Sequence, residues 1–135
     1  MRQTTDDPIT EAECWALLAG ASVGRLALSL QALPAILPVQ YYLDGDELVA
    51  CLGFFDVPQQ AVTNTVVAFG ADAFDEAART GWSVQAQGTV RLEHDVVEDA
   101  WDDLATGTIV RLTPATMRGH RIRLWPFFEA AGSTR

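Results

Sequence analysis

Three strands follow one another between residues 23 and 52 with almost no chain between them, and that brevity restricts the fold more than any other feature. The runs are 23–30, 35–43 and 47–52, each dominated by aliphatic or aromatic residues. A parallel pair needs a crossover of a dozen or more residues, so strands joined this tightly are expected to be antiparallel. The second link, Leu43-Asp44-Gly45-Asp46, carries Asp-Gly at its centre, a strong hairpin signal.

The flanking segments suit a small barrel. Thr10-Glu11-Ala12-Glu13 spells a capping box, and Cys14, Leu17 and Leu18 behind it share a helical face that Gly20 can end, predicting a helix over 10–19. Residues 56–62 read as a short helix with Asp56 as its cap and Pro58 in its first turn. Residues 65–69 form a fourth strand, 72–80 an acidic loop, and 81–92 a long alternating fifth strand. Val97, Ala100, Trp101 and Leu104 mark a helix over 96–104. A sixth strand is expected over 108–113, and 118–124 forms a seventh or an extended tail. The fold class is therefore mainly β, a six-stranded antiparallel barrel with short helices. A flexible N-terminus is set at 1–9, the domain at 10–124 and a tail at 125–135.

Composition removes several functions. The formal charge is −9, which disfavours nucleic acid and anionic membranes, since both demand clustered cations. All nine basic residues are arginine, so lysine Schiff-base chemistry and a lysine phosphate clamp are excluded. No segment has the apolar length of a membrane span, and Met1 to Pro8 is polar and acidic, which makes the cytoplasm the expected location. Cys14 and Cys51 are expected to stay unpaired. His94 and His120 have no ligand-spaced companions, so no metal is expected. Asp44 and Asp46 are read as turn residues.

Several pieces, in this order, resemble the pyridoxamine 5′-phosphate oxidase-like family, the flavin-binding split barrels, and within it a small bacterial branch related to nitroimidazole-resistance proteins. They include Val23-Gly24-Arg25-Leu26-Ala27, Leu37-Pro38-Val39-Gln40-Tyr41, Thr80-Gly81-Trp82-Ser83-Val84 and Ile109-Val110-Arg111-Leu112-Thr113-Pro114. The resemblance spans residues 8–123. It implies a homodimeric split barrel, flavin mononucleotide (FMN) or a deazaflavin in a groove between subunits, and flavin-dependent oxidation or reduction of a small molecule.

On that resemblance, the cofactor-binding positions are Gln40, Tyr41, Cys51, Leu52, Val57, Trp82 and Ser83; no catalytic residue is identified. Gln40 and Tyr41 face the flavin ring or are plain strand positions. Trp82 and Ser83 line the groove or pack in a barrel or dimer core. Family members place an arginine, a hydroxyl and a lysine around the phosphate. Here the matching positions are Cys51, Leu52, Phe55 and Val57, none of which donates a strong hydrogen bond. Each lost charged contact is worth roughly 1.5–3 kcal/mol, so phosphate binding should fall about a hundredfold or more. Cys51 is either a reactive thiol or a small core residue. Phe54 and Phe55 either stack on a ligand or fill the vacated space. Ala105-Thr106-Gly107 replaces a longer family segment, and the aromatic tail through Phe128 is expected to pack on the partner or over the groove. The competing reading is a non-catalytic dimer that binds another small ligand or a protein.

Overall fold

The computed structural model describes residues 6–53, 57–93 and 108–125. Seven strands and one helix make up most of them: β1 (Asp6–Ile9), α1 (Glu11–Ala19), β2 (Val23–Leu30), β3 (Leu33–Asp44), β4 (Glu47–Cys51), β5 (Thr65–Asp75), β6 (Thr80–Leu92) and β7 (Ile109–Arg123). All pairings are antiparallel, in the order β1-β7-β4-β3-β2-β5-β6, and β6 returns to β7. Six strands thus close a ring, with β1 beside it on β7. The ring is split along one edge of β7, where β4 pairs with 109–112 and β1 only with 119–122.

Both short links are two-residue turns. Asp44 pairs with Glu47, so Gly45 and Asp46 form the corner, one residue later than the Asp-Gly centre expected, and Gly45 takes the left-handed φ of +63°. Leu30 pairs with Leu33 across Gln31 and Ala32, both left-handed at φ 53° and 68°. Two positive values are what a twisted hairpin needs at this corner, whatever the residue.

α1 starts as the capping box dictates. The Glu13 amide donates to Thr10 Oγ1 at 3.1 Å, and the Thr10 amide donates to Glu13 Oε1 at 3.0 Å. Cys14 and Leu18 point into the barrel, and Leu17 is partly buried against it. Inward positions of the strands supply the rest of the core, notably Leu26, Val39, Tyr41, Leu48, Phe69, Val84, Val90 and Leu112.

Four expectations change. Residues 6–9, set within the flexible N-terminus, pair with β7. The helix over 56–62 is only a 3-10 turn at Gln59–Val62 behind Pro58, which offers no side-chain cap. Residues 72–75 are strand rather than acidic loop, because Asp72 to Asp75 continue the ladder against β6 and leave only four linking residues. The sixth and seventh strands are one strand of 15 residues, β7. Its middle carries a bulge: Gln87 faces Thr116 while Gly88 faces Pro114, leaving Ala115 unpaired. A bulge tolerates proline inside a strand, which is why Pro114 does not end it. The expected helix over 96–104, Ala105-Thr106-Gly107, His94, Phe54, Phe55, Asp56 and the tail beyond Trp125 lie outside the described residues.

Candidate functional site

Strand alternation decides which candidate residues can meet. Gln40 and Tyr41 are neighbours on β3, so they point to opposite faces. Gln40 is exposed on the outer face, opposite Val23 on β2 and Cys51 on β4. Tyr41 points inward. Its hydroxyl donates to the Leu18 carbonyl at 2.6 Å and its ring meets Phe69 edge-on, with centroids 4.9 Å apart. Burial pushes the phenol up to about 12. Tyr41 fastens the helix to the barrel and cannot reach a ligand on the outer face.

Cys51 faces outward but is covered, packing with Val49, Ile109 and Tyr42. Burial raises its thiol pKa, and a backbone hydrogen bond from Gly53 opposes that only in part, so it is a neutral core thiol. Leu52 and Val57 are inward core residues. The corner expected to hold the cofactor phosphate is therefore closed as well as uncharged: two of its described positions belong to the barrel interior.

Trp82 and Ser83 also separate. Ser83 is outward, between Asp72 and His120 in register. Trp82 follows the inward row of Val84, Ala86 and Val90 to the open end of the barrel and packs there on the edge of the core. It lines a groove of about 550 Å³ with Asp7, Ala73, Phe74, Asp75, Thr80, Arg121 and Arg123. Cys51 pairs with Ile109 near one end of β7, whereas Ser83 pairs with His120 near the other. Round the other side of the ring, Gln40 is level with Val23, and the β2–β5 register carries that row on to Asp72 and Ser83, so Gln40 and Ser83 lie on one outer row, three strands and roughly 14 Å apart. One chain brings Gln40 and Cys51 together on adjacent strands, leaves Ser83 three strands away on the same face, and turns Trp82 inward.

An ionic cluster sits beside the Cys51 end. Arg111, on the outer face of β7, donates to Glu93 at 2.7 Å, Asp44 at 2.8 Å and Glu47 at 3.2 Å, with its side chain 12% exposed. Glu47 also accepts from Thr113 at 2.7 Å and from Arg91. The Thr113 hydroxyl, with help from the two arginines, holds its carboxyl below the usual range. Asp44, expected as a turn residue, is also a partner of Arg111, a link across 67 positions that no local pattern announces. The groove residues Asp7, Thr80, Arg121 and Arg123 were missed too. Arg121 and Arg123 are spaced to share a strand face, but the face they share depends on the bulge.

Comparison with known proteins agrees with this architecture. A family model described as pyridoxamine 5′-phosphate oxidase matches residues 10–121. The uncharacterized protein Rv0080 of Mycobacterium tuberculosis (strain ATCC 25618 / H37Rv) is 34% identical over 124 residues, covering 82% of this chain and 81% of that one. Among solved structures, an FAD binding protein from Mycobacterium smegmatis superimposes with a TM-score of 0.68 at 26% identity, covering 87% of this chain and 99% of its own. A candidate 5-nitroimidazole antibiotic resistance protein from Bacteroides thetaiotaomicron VPI-5482 shares the fold at a TM-score of 0.65 and 12% identity, covering 90% and 92%. With its strand order and a family match over most of its length, the chain belongs to the pyridoxamine 5′-phosphate oxidase family of split barrels.

Proposed function

We propose that this protein is a cytoplasmic, flavin-binding homodimer that uses its flavin to oxidise or reduce a small molecule. The observation that carries the reading is the exposed apolar face that lies beside Gln40 and Ser83 on the outside of the barrel. The outer face of β2, β3 and β5 suits a second copy. Val23, Ile36 and Val66 are 56%, 68% and 77% exposed there, with Ala27, Pro38 and Ala68 between them. An apolar patch of that kind on a twofold-related surface is self-complementary.

The groups present fit a flavin ring better than a phosphate monoester. The Gln40 amide and the Ser83 hydroxyl can both donate and accept, as the polar edge of a flavin ring requires. Cys51, Leu52 and Val57 offer a dianion nothing. Of the outer-face arginines flanking this corner in register, Arg111 is committed to three carboxylates and Arg25 is exposed. FAD, whose tail ends in adenosine rather than a terminal phosphate, suits such a face better than FMN, and FAD is named for the mycobacterial neighbour. The flavin would supply the redox chemistry, while the protein orients the ring and excludes water.

Titration of the purified protein tests this reading. FAD is expected to bind at about one per chain, at least tenfold tighter than FMN, to a dimer of 14.7 kDa chains. Arg25→Gln should weaken FAD binding severalfold. A colourless monomer indifferent to both flavins would overturn it. The buried state of Cys51, Leu52 and Val57 favours a second reading, a non-catalytic dimer on the same scaffold that binds another ligand. Colourless dimeric protein that ignores flavin would select it.

A further inference from the structure

We infer that the groove at the open end of the barrel is a binding site for a small aromatic zwitterion, a planar ring carrying both a carboxylate and a protonated amine. This site is separate from the outer-face flavin groove and does not depend on it.

The groove is the continuation of the barrel interior past the end of the core. Register places seven of its residues on one face in two rows, while Phe74, Gly81 and Ile122 line it from the row between them. The inner row runs Asp7 on β1, Arg121 on β7, Trp82 on β6 and Ala73 on β5; the outer row runs Arg123, Thr80 and Asp75. One step further in, the same strands present Ile9, Gly119, Val84 and Ala71, which are apolar or glycine. The inward stripe therefore changes from apolar to charged within two residues on each of β1, β5 and β7. Trp82 stands at the boundary. At about 550 Å³ the space holds a ring compound.

The charges select the ligand. Arg121 and Arg123, two residues apart on one face, stand about 7 Å from each other, a spacing from which two guanidinium groups can converge on one carboxylate. Among the described residues, Arg121 meets only Glu13, at a loose 3.9 Å, and no ion pair engages Arg123 or Asp7. Asp7 and Asp75 occupy the outer strands of the four. Asp75 already accepts from the Ala77 and Ala78 amides through Oδ1, so Asp7 is the better receiver of an amine. Among the described residues, two arginines and two aspartates leave the groove formally neutral, and Glu13 tips it negative. A dianionic phosphate gains little there. A zwitterion satisfies both charge sets, while Trp82 offers its indole to the ring.

The test uses 4-(aminomethyl)benzoate as the zwitterion, with 4-methylbenzoate and 4-methylbenzylamine as its single-charge counterparts, by calorimetric titration of the full chain. The zwitterion is expected to bind at least tenfold tighter than either. R121Q/R123Q should abolish the advantage over 4-methylbenzylamine by removing the carboxylate contacts, and Asp7→Asn should lower the advantage over 4-methylbenzoate severalfold. Arg121, Arg123 and Asp7 are exposed, so unchanged melting will show that these variants still fold. Equal binding of the three compounds, no binding at 10 mM, or an unaltered preference in R121Q/R123Q would each overturn the proposal. FAD titrated into R121Q/R123Q should bind as to wild type. A parallel loss of FAD would mean that the groove belongs to the flavin, and would overturn the claim of a separate site.

Discussion

The two ends of this barrel begin from the same inward row of aliphatic side chains and finish differently. Past Leu48 and Ala50, the β4 end continues inward with Leu52 and then Val57, so the interior closes over itself. Past Val84 and Ala71, the β5–β6 end continues with Trp82, Thr80 and Asp75, so the interior opens into a polar groove. Charge follows the same division. Beside the closed end Arg111 is surrounded by carboxylates on the outer surface; at the open end Arg121 and Arg123 face a space. Closure thus fits a corner that has no use for an anion, and openness fits one that does. The difference lies in single residues at strand ends, not in the sheet that joins them.

The most damaging way to break this contrast is Gly88→Val. A Cβ at Gly88 would lie 2.0 Å from the Thr113 carbonyl oxygen and 2.9 Å from Pro114 Cα, both backbone atoms that cannot swing away. The bulge opposite Gly88 shifts the alternation of β7, so that Leu112 and Gly119 both face inward, and with them Arg121. Losing it should cost about 3 kcal/mol or more and lower the melting temperature by roughly 10 °C. Binding of the zwitterion should vanish with it. A variant that melts like wild type would show that the bulge does not depend on the glycine.

Arg111→Met attacks the closed end. It leaves Glu93, Glu47 and Asp44 facing one another without their shared cation, which should cost about 2 kcal/mol, less than a fully buried pair because Asp44 is 58% exposed. Glu47 has a depressed carboxyl, so its contribution is present above its ordinary value of about 4.5 and is lost as pH falls below it. The gap between wild type and variant should be widest near pH 7 and should narrow by pH 3. Urea midpoints at the two pH values measure it.

Much of this was written in the sequence, and the missing parts share a cause. The capping box of α1, the two tight hairpins and the long run of β6 are local, because each depends on residues within a few positions of one another. The face of Tyr41 was left open because period-two alternation tells which neighbours share a face but not which face is inside. The phosphate corner was legible as uncharged but not as buried. The groove was not legible at all: Asp7, Asp75, Thr80, Arg121 and Arg123 come from four strands, and a one-residue bulge sets the face on which the arginines stand.

Tyr41→Phe tests whether the helix is held to the barrel as the geometry implies. It removes the 2.6 Å hydrogen bond to Leu18 and should cost about 1 kcal/mol. A phenol raised to about 12 by burial favours the folded state below its ordinary value of 10 and loses that contribution as pH rises through 12. Wild type should therefore weaken between pH 10 and 12 more steeply than the variant, as thermal melts across that range will show.

The smallest effect sharpens the open end rather than breaking it. Glu13 uses one carboxylate oxygen to cap α1 and turns the other toward Arg121 at 3.9 Å. Glutamine keeps an oxygen for the cap and removes the charge, so Glu13→Gln should change stability by less than about 0.5 kcal/mol. The same change takes one negative charge from beside the groove. Affinity for 4-methylbenzoate should then rise about twofold, the amount that ~0.5 kcal/mol allows for a half-exposed pair. The zwitterion should gain no more than that, since its amine engages the unaltered Asp7. A rise for the carboxylate with no change for 4-methylbenzylamine would place the groove's anion site at Arg121. No change for any of the three would leave Arg123 as the arginine that decides selectivity.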